Sequence, residues 1–67
     1  MPLRVKLMPD NRVIELNAGK TRARDLVRKL GMPEEMVVVL RNGEIVTGDE
    51  TLSEDDEVVV MRAVSGG

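Results

Sequence analysis

Leu3, Val5 and Leu7 alternate with Arg4 and Lys6, the period-two pattern of a half-buried strand. Pro9-Asp10-Asn11 follows as a turn cluster, with Pro pre-set for a bend and Asp and Asn able to close it through their side chains. Alternation resumes from Arg12 to Asn17 with Ile14 and Leu16 as the inward pair, so the two runs predict a β-hairpin. After Ala18-Gly19-Lys20 the period changes. Ala23, Leu26, Val27 and Leu30 fall at i, i+3, i+4 and i+7, one face of a helix, and Arg22, Arg24, Asp25, Arg28 and Lys29 take the other. Thr21 is placed to cap this helix with its hydroxyl. Arg28 and Lys29 lie where the helix dipole favours cations, and Gly31 can end the helix in a left-handed conformation. Met32 to Glu35 connect to Met36–Arg41, a strand that is apolar on both faces. Asn42-Gly43 accepts positive φ at both positions and predicts a tight hairpin, returning through Glu44-Ile45-Val46. Thr47 to Asp56 reads as a polar, acidic loop with Leu52 as its one apolar anchor. Val58 to Ala63 is the last strand, again apolar on both faces.

The order is ββαββ. One helix laid on one face of a mixed sheet buries these stripes most economically, so the expected class is α+β. The domain runs over residues 1–64, with residues 65–67 as a flexible tail. The helix-facing set is Leu3, Val5, Leu7, Ile14 and Leu16 from the hairpin, Ala23, Leu26, Val27 and Leu30 from the helix, and Val37, Val39, Ile45, Leu52, Val58 and Val60 beyond it. A single helix covers a single sheet face. Val38, Leu40, Val59 and Met61 then point to the other, where an open antiparallel face normally carries polar residues. Such a cluster reads as a binding patch, and methionine suits a surface that fits more than one partner. Also open are a homodimer through this face, a register shifted by one residue, and a plain preference of central strands for valine.

The chain has 67 residues, enough for one domain. A chain of this size buries only about 60% of its unfolded surface. It has no Cys and no His, which removes disulfides, the usual zinc ligands, thiol nucleophiles and imidazole bases. No metal site is expected. An autonomous enzyme is disfavoured; a protein that is itself a substrate fits better. With no Phe, Tyr or Trp, single-stranded nucleic acid has no aromatic side chain to stack on, and no run approaches the roughly 20 apolar residues of a membrane span. Met1-Pro2-Leu3-Arg4 does not begin a signal peptide. The expectation is a cytoplasmic protein that engages neither nucleic acid nor membrane.

The net charge of −2 hides a split: residues 1–33 carry +5 and residues 34–67 carry −7. The basic set centres on Lys20, Arg22, Arg24, Arg28 and Lys29, the acidic set on Asp49, Glu50 and Glu54 to Glu57. Two readings are open, namely solvated faces that attract each other weakly and an acidic surface that steers a basic partner.

The last strand continues through Val64 and Ser65 into Gly66-Gly67. Without a Cβ, two glycines enter a channel too narrow for other residues. The reactive group of such a tail is the α-carboxylate of Gly67, and activation by a partner enzyme suits it. An ordinary frayed terminus is the bland alternative.

The chain resembles the ubiquitin-like β-grasp sulfur carriers of the ThiS and MoaD families and the small archaeal modifier proteins related to them. Carrying the resemblance are Asp25-Leu26-Val27-Arg28-Lys29-Leu30, Val37 to Leu40 with Arg41-Asn42-Gly43-Glu44-Ile45-Val46, Glu54-Asp55-Asp56-Glu57-Val58, and Arg62-Ala63-Val64-Ser65-Gly66-Gly67. It spans the whole chain. Where these families usually show Gly-Asp before the last strand, this chain has Asp55-Asp56. It is also shorter than a typical MoaD, which tilts the resemblance toward the ThiS-like or archaeal-modifier branch.

What the resemblance implies is a protein co-substrate with no bound cofactor, whose partner, an E1-like adenylating enzyme, uses ATP. Gly67 is the implied reacting residue, giving an acyl-adenylate and then a thiocarboxylate. The sulfur comes from a donor such as a cysteine desulfurase or rhodanese. It passes to a sulfur-accepting synthase, for a thiazole or a molybdopterin precursor, or to a tRNA base. Alternatively a lysine of a target protein attacks the activated carbonyl and forms an isopeptide bond. Gly66 lets the tail thread, Arg62, Val64 and Ser65 line its approach, and Val38, Leu40, Val59 and Met61 dock the body. Lys6, Lys20 and Lys29 are the side-chain amines available for self-conjugation, and each is equally an ordinary solubilising lysine. Outside this class stand a non-covalent β-grasp interaction module and a regulatory subunit packed permanently on an enzyme.

Overall fold

The computed structural model describes residues 2–63. Val64, Ser65, Gly66 and Gly67, and with them the expected tail and domain boundary, lie outside the described residues. Strands β1 (Leu3–Met8) and β2 (Arg12–Leu16) form the first hairpin. A short strand β3 (Lys20–Arg22) leads into helix α1 (Ala23–Lys29). A 3-10 turn at Glu34–Met36 then precedes β4 (Val37–Arg41), β5 (Glu44–Val46), β6 (Thr51–Ser53) and β7 (Val58–Arg62). The main sheet has the order β2-β1-β7-β4-β5, and β3 and β6 form a second, two-stranded sheet. β7 runs parallel to β1 and antiparallel to β4. This mixed sheet with one helix is an α+β, ubiquitin-like β-grasp fold.

The core lies between α1 and one face of the sheet. Leu3 and Val5 of β1, Val58 and Val60 of β7, Val39 of β4 and Val46 of β5 meet Ala23, Leu26 and Val27 of the helix, and Leu52 closes one end. No buried residue is polar or charged among those described. Full burial of Leu26 and Leu52 contributes about 1.5–3 kcal/mol each.

Thr21 does not cap the helix. It pairs with Leu52 in the β3–β6 ladder, and its hydroxyl points to the Arg22 carbonyl at 3.3 Å. Arg22 occupies the cap position and supplies no side-chain bond. The first helical N–H groups instead donate to distant carbonyls: Ala23 to Glu50 at 2.9 Å and Arg24 to Gly48 at 3.0 Å. The β5–β6 loop thus caps α1, satisfying donors that would otherwise be orphaned. At the other end Gly31 has φ +74°, with Gly31 N–H donating to Arg28 and Met32 N–H to Val27. That is a Schellman closure, as the glycine foretold.

The Thr47–Asp56 segment is not wholly a loop, since Thr51–Ser53 form β6, and Leu52 is completely buried there. Thr51 and Ser53 flank an inward Leu52 in an alternation too short to separate from a turn by period alone. The expected strand Met36–Arg41 begins at Val37 and the expected Val58–Ala63 ends at Arg62.

Ile45 is corrected from the helix-facing set. It is 73% exposed, whereas Val46 is buried. Asn42 and Gly43 both have positive φ, at 52° and 86°, so the turn has two residues and Arg41 faces Glu44. Counting from that pair, Leu40 meets Ile45 and Val39 meets Val46. Val39 faces the helix, so Val46 does too, and Ile45 is turned away.

Candidate functional site

The sheet face opposite α1 carries the expected patch. Strand register sets its pattern. Across the sheet runs a row formed by Val13, Lys6, Val59, Leu40 and Ile45, each opposite the next. Beside it lies a second row, Met8, Met61 and Val38. Val38 and Met61 are exposed and Leu40 and Val59 half-buried. All four lie on one face because β4 and β7 pair in register, Val38 with Met61 and Leu40 with Val59.

Two residues that the sequence reading left out extend the patch. Ile45 at one end and Val13 at the other, 61% exposed, are its most solvent-accessible aliphatics. The signal for Ile45 was present in the Asn42-Gly43 turn, whose length dictates the register. Val13 alternates with the inward Ile14 and could have been placed by the same rule.

One end of this face is charged. Arg4 is opposite Glu15, and both line a depression of about 580 Å³ shared with Lys6, Val13 and Glu57. On the other side of the sheet, a groove of about 280 Å³ separates α1 from β4 and β5, with Val27, Val37 and Val46 in its walls and Arg24 and Glu34 among its lining residues.

Two contacts fix the last described residues. The Ala63 N–H donates to the Met36 carbonyl at 2.8 Å. Arg62 donates through Nη2 to Asp10, 3.3 Å from Oδ1 and 3.4 Å from Oδ2. The chain therefore leaves β7 between the β1–β2 turn and the 3-10 turn. Of the expected tail residues, Arg62 is here an exposed partner of Asp10, and Val64, Ser65, Gly66 and Gly67 lie outside the described residues.

The acidic segment is largely committed to structure. Asp49 accepts from Arg24 Nη2 at 2.8 Å. Glu50 accepts from Arg41 Nη2 at 3.1 Å and from the Thr47 N–H at 2.9 Å. The Thr47 N–H, with Arg41 beside it, holds the Glu50 carboxyl below the usual range. Asp56 accepts from the Ser53 N–H at 2.9 Å and from Asn42 Nδ2 at 3.2 Å. These bonds, the Ser53 N–H first, lower its pKa as well. The Arg24–Asp49 pair joins the two sets and favours the reading in which they attract each other.

The three lysines are exposed and lie on three different elements. Lys6 lies within the patch, Lys20 opens β3, and Lys29 ends α1. Among the described residues no cluster of acidic side chains suits a metal ion, and no helix is long and apolar enough to cross a membrane.

The ThiS family model matches residues 5–67 of the chain. The sulfur carrier protein TtuB of Thermus thermophilus is 33% identical over 60 residues, which cover 90% of this chain and 91% of that protein.

Proposed function

The chain belongs to the ThiS family, and from that premise we propose that it is a sulfur carrier whose Gly67 carboxylate is activated by an E1-like adenylating enzyme. The observation that carries this reading is the family match extending through Gly66-Gly67. The Gly67 carboxylate attacks the α-phosphorus of ATP in the partner's site, and pyrophosphate leaves. The resulting acyl-adenylate is a mixed anhydride with AMP as its leaving group. A persulfide on a donor protein displaces AMP to give an acyl disulfide, and a thiol then attacks the donor's sulfur, forming a disulfide with it and releasing the thiocarboxylate at Gly67. The chain is substrate in this sequence. ATP is held by the partner.

The body's share is docking. Val38, Leu40, Val59 and Met61, extended by Ile45 and Val13, offer an apolar face that the helix leaves open. Gly66 and Gly67 pass into the partner's channel, with Arg62, Val64 and Ser65 at its entrance. A second fate of the same activated carbonyl is attack by a lysine amine, which gives an isopeptide bond and makes the chain a protein modifier.

The test is the mass of the C-terminal peptide from protein isolated from its own cells. Sulfur in place of oxygen adds about 16 Da, close to one methionine sulfoxide. With five methionines in the chain, the shift must be localised to Gly67 by fragmentation. A thiocarboxylate at Gly67 supports the carrier. Diglycine remnants on lysines of other proteins support the modifier. An unmodified Gly67 without such remnants overturns both.

A further inference from the structure

Met61 puts a thioether in the middle of the open sheet face. On β7 it lies between Met8 of β1 and Val38 of β4, opposite each in register, and it is 47% exposed. Of the other methionines described, Met36 is equally exposed in the 3-10 turn, outside the two rows of that face. Met8 is half-buried beside Met61, and Met32 packs against the core. The chain has no Cys, His, Trp or Tyr, so thioethers are the side chains that an oxidant attacks first. Strand register therefore places one of the two most accessible of them within the aliphatic surface that has to stay apolar to dock.

A thioether and a sulfoxide make opposite demands on a partner. The thioether packs like an aliphatic group and accepts only weak hydrogen bonds. The sulfoxide is polar, with an oxygen that water solvates. An apolar partner surface laid over that oxygen strips the water and returns no hydrogen bond, which is unfavourable. We propose that Met61 is an oxidative modification site, and that its sulfoxide closes the open face to the adenylating partner. The oxidant is a hydroperoxide. The Met61 sulfur lone pair attacks the outer peroxide oxygen, the O–O bond breaks, and the displaced oxygen takes the proton and leaves as water or an alcohol. Sulfur loses two electrons and the peroxide gains them. A sulfoxide reductase reverses the step: the oxygen leaves as water and two thiols join as a disulfide. The inference rests on the docking role given to this face above and adds a chemical control of it.

The experiment treats the full chain with hydrogen peroxide, removes the excess with catalase, and maps the sulfoxides by peptide mass. Pyrophosphate exchange into ATP by the adenylating enzyme of the same cell is then measured with the chain as varied substrate. Sulfoxide is expected at Met61 and Met36 ahead of Met8 and Met32. KM is expected to rise about tenfold with kcat unchanged, and to return after treatment with a sulfoxide reductase and dithiothreitol. Met61→Leu keeps the apolar volume, so its KM is expected to lie within about twofold of the parent, before and after peroxide. Met36→Leu is expected to respond to peroxide as the parent does. Circular dichroism confirms that each sample is folded. An unchanged KM for chain carrying the Met61 sulfoxide overturns the proposal. So does a Met61→Leu chain that responds like the parent, or oxidation of Met8 or Met32 ahead of Met61. If the untreated parent supports no exchange, the adenylation reading fails and the proposal falls with it. Exchange by the untreated parent with no response to peroxide overturns the proposal alone.

Discussion

Asn42 and Glu57, fifteen residues apart, exchange two hydrogen bonds. The Asn42 N–H donates to the Glu57 carbonyl at 2.8 Å, and the Glu57 N–H donates to Asn42 Oδ1 at 2.8 Å. The side-chain amide also donates to Asp56 at 3.2 Å. One residue thus makes the β4–β5 turn and ties it to the lead-in of β7. That matters for the open face, because β4 and β7 supply most of it.

Replacement of Asn42 separates its two duties. Asn42→Gly keeps the positive φ of 52° and loses the side-chain bonds, an expected cost of about 1–2 kcal/mol. Asn42→Ala also adds left-handed strain and is expected to cost about 1 kcal/mol more. Chemical denaturation of the two variants measures the difference. Equal stabilities would remove the conformational contribution.

Gly31 offers a cleaner measure of left-handed strain. Its φ is +74° and a Cβ there would meet nothing within 4 Å. Gly31→Ala is therefore expected to cost about 1–2 kcal/mol with no clash, lowering the melting temperature by about 4–8 °C per kcal/mol in a domain of this size. An unchanged melting temperature would contradict the Schellman assignment.

Leu52 and Ile45 are predicted to behave in opposite ways. Leu52 is fully buried between α1 and the sheet, so Leu52→Ala is expected to cost about 2–5 kcal/mol. Ile45→Ser, at a site 73% exposed, is expected to change stability by less than about 0.5 kcal/mol while weakening capture by the adenylating enzyme. Denaturation and exchange kinetics on the same samples distinguish the two effects.

Acid should loosen the β5–β7 segment. Glu50 and Asp56 both have lowered pKa values in the folded chain. At low pH the unfolded chain then binds more protons than the folded one, so stability rises with pH. Their contribution is complete above the unfolded carboxyl range, about pH 4, and is lost as pH falls from there through the lower values of the folded chain. Glu50→Gln and Asp56→Asn should each flatten the fall in denaturation midpoint between about pH 5 and 3. An unchanged slope would show that these bonds do not distinguish the two states.

Gly67→Ala addresses the tail. If Gly67 is adenylated as proposed, a Cβ there should obstruct a channel shaped for glycine, so adenylation is expected to fall sharply while stability stays within about 0.5 kcal/mol. An unchanged adenylation rate would defeat the narrow-channel argument.

Much of this protein is legible in local pattern. Period-two runs predicted β1 and β2, the i, i+3, i+4, i+7 spacing placed α1, and Gly31 and Asn42-Gly43 marked a helix end and a turn that both need positive φ. These follow from the sequence alone because each depends on the intrinsic geometry of a few neighbouring residues. The β-grasp arrangement and the terminal diglycine were likewise readable from the order of the elements and the family resemblance.

Tertiary structure decided the rest. Thr21 has the right hydroxyl for a cap, yet the Glu50 and Gly48 carbonyls took the helix donors because the β5–β6 loop folds across the start of α1. β6 exists because β3 lies alongside it. Ile45 and Val46 are nearly equal in hydrophobicity, and only the pairing with β4 determined which was buried. A chain fixes its own periodicity and turns, but which donors, edges and faces become occupied depends on segments that meet only after folding.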